Sequence, residues 1–197
     1  MPGHSDNGPM TTSIDLIILA GGTGSRMGGI DKGLIPLAGK PAVQQLATRL
    51  LREGDQLIIS ANRRQDDYRA LGATVVADQR PGQGPLAGLL AAISVCRHDW
   101  QLVIPCDMPW LPVAVRDKLL ADASAHGVSV LHDGSRQQPL CLALDARQQR
   151  ASLSAYLDSG RRSAHGWLAE VGAHPCPVEA DSKLAFVNLN TPDDLPR

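Results

Sequence analysis

Five glycines, two cations and one carboxylate carry the chemistry that can be read in this chain. Gly21, Gly22, Gly24, Gly28 and Gly29 fall in one stretch, Gly21-Gly22-Thr23-Gly24-Ser25-Arg26-Met27-Gly28-Gly29. A triphosphate needs backbone N–H groups brought close to it. Glycines remove the side chains that obstruct this approach and permit positive φ. Arg26 within the stretch and Lys32 just after it would neutralise phosphate oxygens, and both would grip harder as pyrophosphate charge develops. Either cation alone would read as a solvated surface charge. A plain strand-to-helix connection would need neither the glycines nor the cations.

Two familiar phosphate loops fail on spacing. The dinucleotide pattern G-x-G-x-x-G can begin at Gly22 and Gly24, but Met27 stands at its last position. A P-loop ending at Gly39-Lys40 would need its first glycine one residue later than Gly33, and Pro41 takes the Ser/Thr position. Neither pattern is satisfied.

Asp107 is the second strong signal. It directly follows the apolar run Leu102–Cys106. A hard carboxylate at the carboxyl end of a parallel strand suits Mg²⁺, which takes one or two protein oxygens together with phosphate and water. Asp107-Met108-Pro109 also fits a helix-capping turn; the glycine loop favours the metal. Asn62 and Asp78 each follow a strand-like run, so both fall on the same edge, where an amide and a carboxylate can read a base or a ribose. Taken alone, both are ordinary turn formers. His132-Asp133-Gly134 and Arg161-Arg162 could face an acceptor, although a turn and a helix-terminal charge pair explain them equally well. The other histidines have no partner at catalytic spacing.

The elements that must position these groups alternate short apolar runs with amphipathic stretches. This predicts an α/β fold of three layers around a mostly parallel sheet. Ile14–Ala20 is a strand buried on both faces. A helix opens at Pro41, repeats through Val43, Leu46, Ala47, Leu50 and Leu51, and stops by Gly54. Leu57–Ser60 and Thr74–Ala77 are strands, with a short helix at Asp67–Leu71 between them. Pro85 starts a helix to about Cys96, Leu102–Cys106 is a strand, and Pro112 starts a helix to about Ala125. Strands are expected at Val128–Leu131, Leu140–Leu144 and Ala185–Leu189. Helices are expected at Arg147–Leu157 and Ala164–Val171, and Thr191-Pro192-Asp193 begins a terminal helical turn.

The 197 residues fit one domain over 14–197, preceded by a polar segment, Met1–Ser13, that reads as a disordered tail. At 3% aromatic content the core must rest on Leu, Val, Ile and Ala. A net charge of −1 excludes a basic nucleic-acid surface or a polybasic membrane patch, so an anionic ligand must be held by a few placed cations. No apolar run is long enough to span a bilayer, and Met1–Ser13 lacks a signal-peptide layout. Cys96, Cys106, Cys141 and Cys176 form no C-x-x-C pair and no zinc spacing, and read as reduced thiols of a cytoplasmic protein.

Leu19-Ala20-Gly21-Gly22, Arg26-Met27-Gly28-Gly29 and Asp31-Lys32 together resemble the signature of the molybdenum cofactor guanylyltransferases. The first part is shared with a wider nucleotidyltransferase superfamily of glycosyltransferase-A-like fold; the continuation G-x-D-K-G-L is more specific. Further matches follow in order: Asn62-Arg63, Asp78, Gly84-Pro85-Leu86-Ala87-Gly88, Pro105-Cys106-Asp107-Met108-Pro109, His132-Asp133-Gly134, Gly160-Arg161-Arg162 and Asn188-Leu189-Asn190-Thr191-Pro192. The resemblance implies transfer of GMP from GTP to molybdenum-molybdopterin, giving the guanine dinucleotide cofactor and pyrophosphate, with Mg²⁺. It implies that Leu19, Ala20, Gly21 and Gly22 contact GTP and that Lys32 meets its phosphates. Asn62 and Asp78 would add to nucleotide binding, and Asp107 would hold the metal. Asn188 and Asn190 would support the acceptor or metal region. Asp107, Lys32 and Arg26 are then the catalytic set. Other molybdenum cofactor biosynthesis proteins and the chaperones of target molybdoenzymes are the implied protein partners. A related nucleotidyltransferase using CTP or another phosphorylated acceptor would share the loop and Asp107. A nucleotide sensor without turnover would not need Asp107.

Overall fold

The run Asp15-Leu16-Ile17-Ile18-Leu19 has no polar face after its first residue, so it can be sheltered only at the centre of a sheet covered on both sides. The computed structural model, which describes residues 12–21, 31–80, 82–180, 182 and 184–189, places it there, buried at all five positions. The strands are β1 (Asp15–Leu19), β2 (Pro36–Leu37), β3 (Lys40–Pro41), β4 (Gln56–Ser60), β5 (Thr74–Val76), β6 (Trp100–Pro105), β7 (Val128–His132), β8 (Gln137–Asp145) and β9 (His174–Pro177). The helices are α1 (Ala42–Leu50), α2 (Gln65–Arg69), α3 (Pro85–Ile93), α4 (Ala114–His126), α5 (Ala146–Asp158) and α6 (Ala164–Glu170).

Seven strands form one sheet in the order β5-β4-β1-β6-β8-β7-β9. β5, β4, β1 and β6 run parallel, β8 is antiparallel to both of its neighbours, and β9 is parallel to β7. Alternation along the strands divides the core into two layers. Leu16, Ile18, Ile59, Leu102 and Ile104 pack with Val43, Leu46 and Leu50 of α1, Tyr68 of α2 and Val115 and Leu119 of α4. Ile17, Ile58 and Val103 pack on the other face with Leu86 and Leu89 of α3, Leu153 and Tyr156 of α5 and Trp167 of α6. This is the expected three-layer, mostly parallel α/β fold.

Most predicted elements stand within a few residues of their expected positions. Pro41 occupies the N-cap of α1, and Pro85 the first turn of α3. β2 and β3 were not foreseen. They form a hairpin whose two-residue turn, Ala38-Gly39, has positive φ at both positions, the geometry that closes tight hairpins. Gly39, which mimics part of a P-loop in the sequence, is thus a turn residue.

One reading of the C-terminal part is corrected. Ala185–Leu189 is not a strand. Its amides turn inward to local carbonyls, Ala185 to Ser182 and Val187 to Leu184, while Leu189 bonds to Asp107. The late strand is instead His174–Pro177, an edge strand paired with β7 alone. Its two prolines remove ladder donors and mask it in a propensity reading, and an edge is where a sheet tolerates them. The 1–13 tail is described only from residue 12, and Thr191-Pro192-Asp193 lies outside the described residues.

Candidate functional site

The parallel register brings the carboxyl ends of β1, β4, β5 and β6 to one edge. Ala20 donates to the Ser60 carbonyl at 2.8 Å, Ala61 to Val76 at 2.9 Å and Cys106 to Leu19 at 3.1 Å. Residues just beyond these strands, distant in sequence, therefore become neighbours. This is the edge at which open α/β sheets bind ligands.

On the β4–β5 side, the Asn62 side-chain oxygen accepts from the Asp78 amide at 2.8 Å, and Asp78 accepts from the Arg80 amide at 2.7 Å. Gly21 faces this pair: a Cβ on it would stand 3.9 Å from the Asn62 amide nitrogen. Leu19, Ala20, Gly21, Asn62 and Asp78 thus gather as the sequence suggests. The Gly84–Gly88 motif packs at this corner. Gly84 takes a positive φ on entry to α3, and a Cβ on Gly88 would meet Ser60 Oγ at 2.6 Å. Only glycine lets the first turns of α3 lie so close to the end of β4.

On the β6 side, Lys32 Nζ stands 3.7 Å from Asp107 Oδ2, and both side chains are about a quarter exposed (22% and 24%). Burial pushes the Asp107 carboxyl above its ordinary range, against the opposing pull of Lys32. The pair sets a cation and a partly buried carboxylate side by side at this edge. The capping alternative for Asp107 is ruled out, because α4 begins at Ala114 with Val113 at its N-cap.

Lys32 is positioned by a clasp that sequence reasoning missed. Lys32–Leu34 is a single 3-10 turn capped by Asp31, whose Oδ1 accepts from the Gly33 amide at 3.1 Å. The hydroxyl of Tyr68, a fully buried residue of α2, donates to the same oxygen. Gly33 must be glycine, because a Cβ there would meet the Tyr68 hydroxyl at 2.5 Å and Val43 Cγ1 at 2.8 Å. The signals available were an Asp at a capping position and one of only two tyrosines in the chain.

The late segment reaches the same place. Leu189 donates to the Asp107 carbonyl at 2.7 Å and is buried with Ile35, Leu37 and Ala42, so Asn188 lies beside this corner. Gly22, Arg26 and Asn190 lie outside the described residues. The acceptor candidates in the second half have local partners. Asp133 accepts from Ser135 and Arg136 amides at 2.9 Å within the β7–β8 turn. Burial would push its carboxyl up, but these bonds and that from Gln138 hold it well below the usual range. Arg161 pairs with Glu170 and lies 4.2 Å over the Tyr156 ring, and Arg162 donates to the Leu157 carbonyl at 2.7 Å.

Comparison with known proteins agrees with this geometry. Residues 16–174 match the model of the MobA-like NTP transferase domain. The chain is 40% identical over 189 residues to a molybdenum cofactor guanylyltransferase of Shewanella woodyi, covering 93% of this chain and 94% of that one. It is 41% identical, with the same coverage, to the protein of that name from Shewanella frigidimarina. Among solved structures, molybdopterin-guanine dinucleotide biosynthesis protein A from Archaeoglobus fulgidus superposes with a TM-score of 0.71 at 20% identity, over 92% of this chain and 94% of that one.

Proposed function

The chain belongs to the MobA-like NTP transferase family, and on that premise we propose that it transfers GMP from GTP to molybdenum-molybdopterin, forming molybdopterin guanine dinucleotide and releasing pyrophosphate. The observation that carries this reading is the convergence of Lys32 and Asp107 at the carboxyl edge of the parallel strands, beside Gly21, Asn62 and Asp78.

The terminal phosphate of the acceptor is already an anion at neutral pH and needs no strong base to become a nucleophile. One of its oxygens bonds to the α-phosphorus of GTP in line with the departing bridge oxygen, and pyrophosphate leaves with both electrons of the broken P–O bond. The protein supplies position and charge rather than covalent chemistry. Lys32 neutralises phosphate oxygens, joined by Arg26 and the glycine-loop amides in the reading from sequence. Asn62, Asp78 and the Gly84–Gly88 corner hold the nucleoside end.

Mg²⁺ fits the hard oxygen donor at Asp107, a partly buried carboxylate with Lys32 at 3.7 Å. Bound there, the ion would screen the charges of the triphosphate. Asp107 would hold it, and Lys32 would share the neutralisation. Among the described residues no helix is long and apolar enough to cross a membrane. The four cysteines are free thiols, which supports a reducing, cytoplasmic setting.

The test is pyrophosphate release by purified protein with Mg²⁺, each of GTP, CTP, ATP and UTP, and molybdenum-loaded molybdopterin present or withheld. Release is expected only with GTP and acceptor together, and is expected to stop with EDTA. Equal or faster release with CTP would replace this reading with that of a cytidylyl-transferring relative.

A further inference from the structure

The opposite edge of the sheet carries a cluster that the nucleotide site does not use. α4 leaves the carboxyl edge after β6 and runs back, so its last turn lies where the parallel strands begin. β9 is parallel to β7 and starts at that same end. Asp122 and His126 share one face of the last turn of α4, four residues apart, and His174 is the first residue of β9. His174 Nδ1 lies 3.0 and 2.9 Å from the two Asp122 carboxylate oxygens. His126 Nε2 lies 3.9 Å from Asp122 Oδ1. The two imidazoles are stacked, with centroids 4.0 Å apart.

We propose that Asp122, His126 and His174 form a binding site for a borderline divalent transition metal of the Zn²⁺ class, separate from the nucleotide site. One donor atom from each residue lies within 4.8 Å of the other two. Tetrahedral donors about 2.0–2.2 Å from Zn²⁺ stand about 3.2–3.6 Å from one another, so the set needs to contract by only about 1 Å. Both rings are nearly half exposed (47% and 44%), so the His126 ring can turn out of the stack and aim its lone pair at the ion. Two imidazoles and one carboxylate form a donor set that borderline ions prefer over Mg²⁺, which takes oxygen ligands.

The ion would tie the last turn of α4 to β9, the edge strand that prolines deprive of ladder donors. Its role is therefore structural: a clasp on the last-added strand of the sheet rather than a second reaction centre.

Metal-free full-length protein titrated with Zn²⁺ in a calorimeter should bind one equivalent. Its unfolding temperature should rise by about 5–10 °C at roughly a hundredfold excess over Kd. His174→Ala and His126→Ala should each weaken binding more than about tenfold, since even outer-shell changes cost that much. Both positions are exposed, so the variants should fold. Co²⁺ should give a spectrum free of thiolate charge transfer. GTP-dependent turnover with Mg²⁺ should be unchanged in both variants. Zn²⁺ affinity unaltered by both substitutions, or a cobalt–thiolate band showing that cysteines take the ion, would overturn the proposal.

Discussion

The same parallel strands end in two different electrostatic settings. At their amino edge, Asp55 meets Arg116 at 2.7 and 3.2 Å with both side chains sealed from solvent (1% and 2% exposed), and it also accepts from the amides of Ile14 and Arg52. Asp15 beside it accepts from the amides of Arg97 and His98 and from the side chain of Gln101. At the carboxyl edge, Asp107 has Lys32 at 3.7 Å and remains partly open. The residue types are alike, an aspartate and a cation in each case. What differs is burial and pairing: among the described residues Asp55 is sealed with several donors on its carboxylate, whereas Asp107 stays partly exposed beside one lysine. On the proposed reading, the sealed pair holds the fold together and the open one binds.

This contrast can be broken first at Arg116. Arg116→Met keeps the bulk but leaves the Asp55 charge buried without a partner, which should cost about 3–5 kcal/mol of stability. Urea unfolding measures the loss, and the remaining folded protein should keep its KM for GTP. A loss under about 1 kcal/mol would show that the sealed pair does not hold the amino edge.

Asp107→Asn should do the reverse. Turnover should fall on the order of 10²–10³-fold, as when one preorganised electrostatic group is removed, while the fold survives. Pyrophosphate release and circular dichroism on one preparation separate the two effects. Near-normal turnover with Mg²⁺ would remove Asp107 from the site. Lys32→Ala comes next: losing one charge-assisted contact of about 1.5–3 kcal/mol should weaken GTP binding roughly 10- to 100-fold. Unchanged kinetics at limiting GTP would dismiss that role.

Which of these edges could be seen in the sequence depends on how local the signal was. β1 was legible because a five-residue apolar run has one sheltered place in an α/β fold. The place of Asp107 was legible because it follows the strand β6, while the glycine loop beyond Gly21 lies outside the described residues. β9 was not, since its prolines argue against a strand and only pairing with β7 overrides them. Ala185–Leu189 misled in the opposite sense: it is apolar enough for a strand, but its bonding is local. The Asp31–Tyr68 clasp joins residues 37 apart, a relation that no spacing rule encodes. The local partners of Asp133 and Arg161 are likewise set by folding and were not legible from the motifs that contain them.

The clasp sharpens the comparison by asking how firmly the open edge is held. Gly33→Ala would drive a methyl into the Tyr68 hydroxyl and Val43, and such overpacking should cost about 1–3 kcal/mol. Because the displaced turn carries Lys32, affinity for GTP should fall along with stability. Lost stability with intact GTP affinity, read by thermal unfolding and titration, would mean that Lys32 is placed by something else.

The smallest effect is the most direct test of that difference in burial and pairing. Burial raises the Asp107 carboxyl above the ordinary aspartate value of 3.8, with Lys32 opposing only in part. The folded chain then holds that proton more tightly than the unfolded chain does. The resulting stabilisation is complete below the unfolded value and is lost as pH rises through the raised folded value. At neutral pH the ionised carboxylate therefore weakens the ligand-free fold. Asp107→Asn, neutral at every pH, should unfold at a slightly higher temperature than the native chain at pH 7, and the gap should close on acidification toward the aspartate range. For Asp55, sealed with several donors, the analogous Asp55→Asn should destabilise at pH 7. If both substitutions destabilise equally at neutral pH in the absence of ligand, the two edges are not different in kind, and Asp107 is held by the protein as completely as Asp55 is.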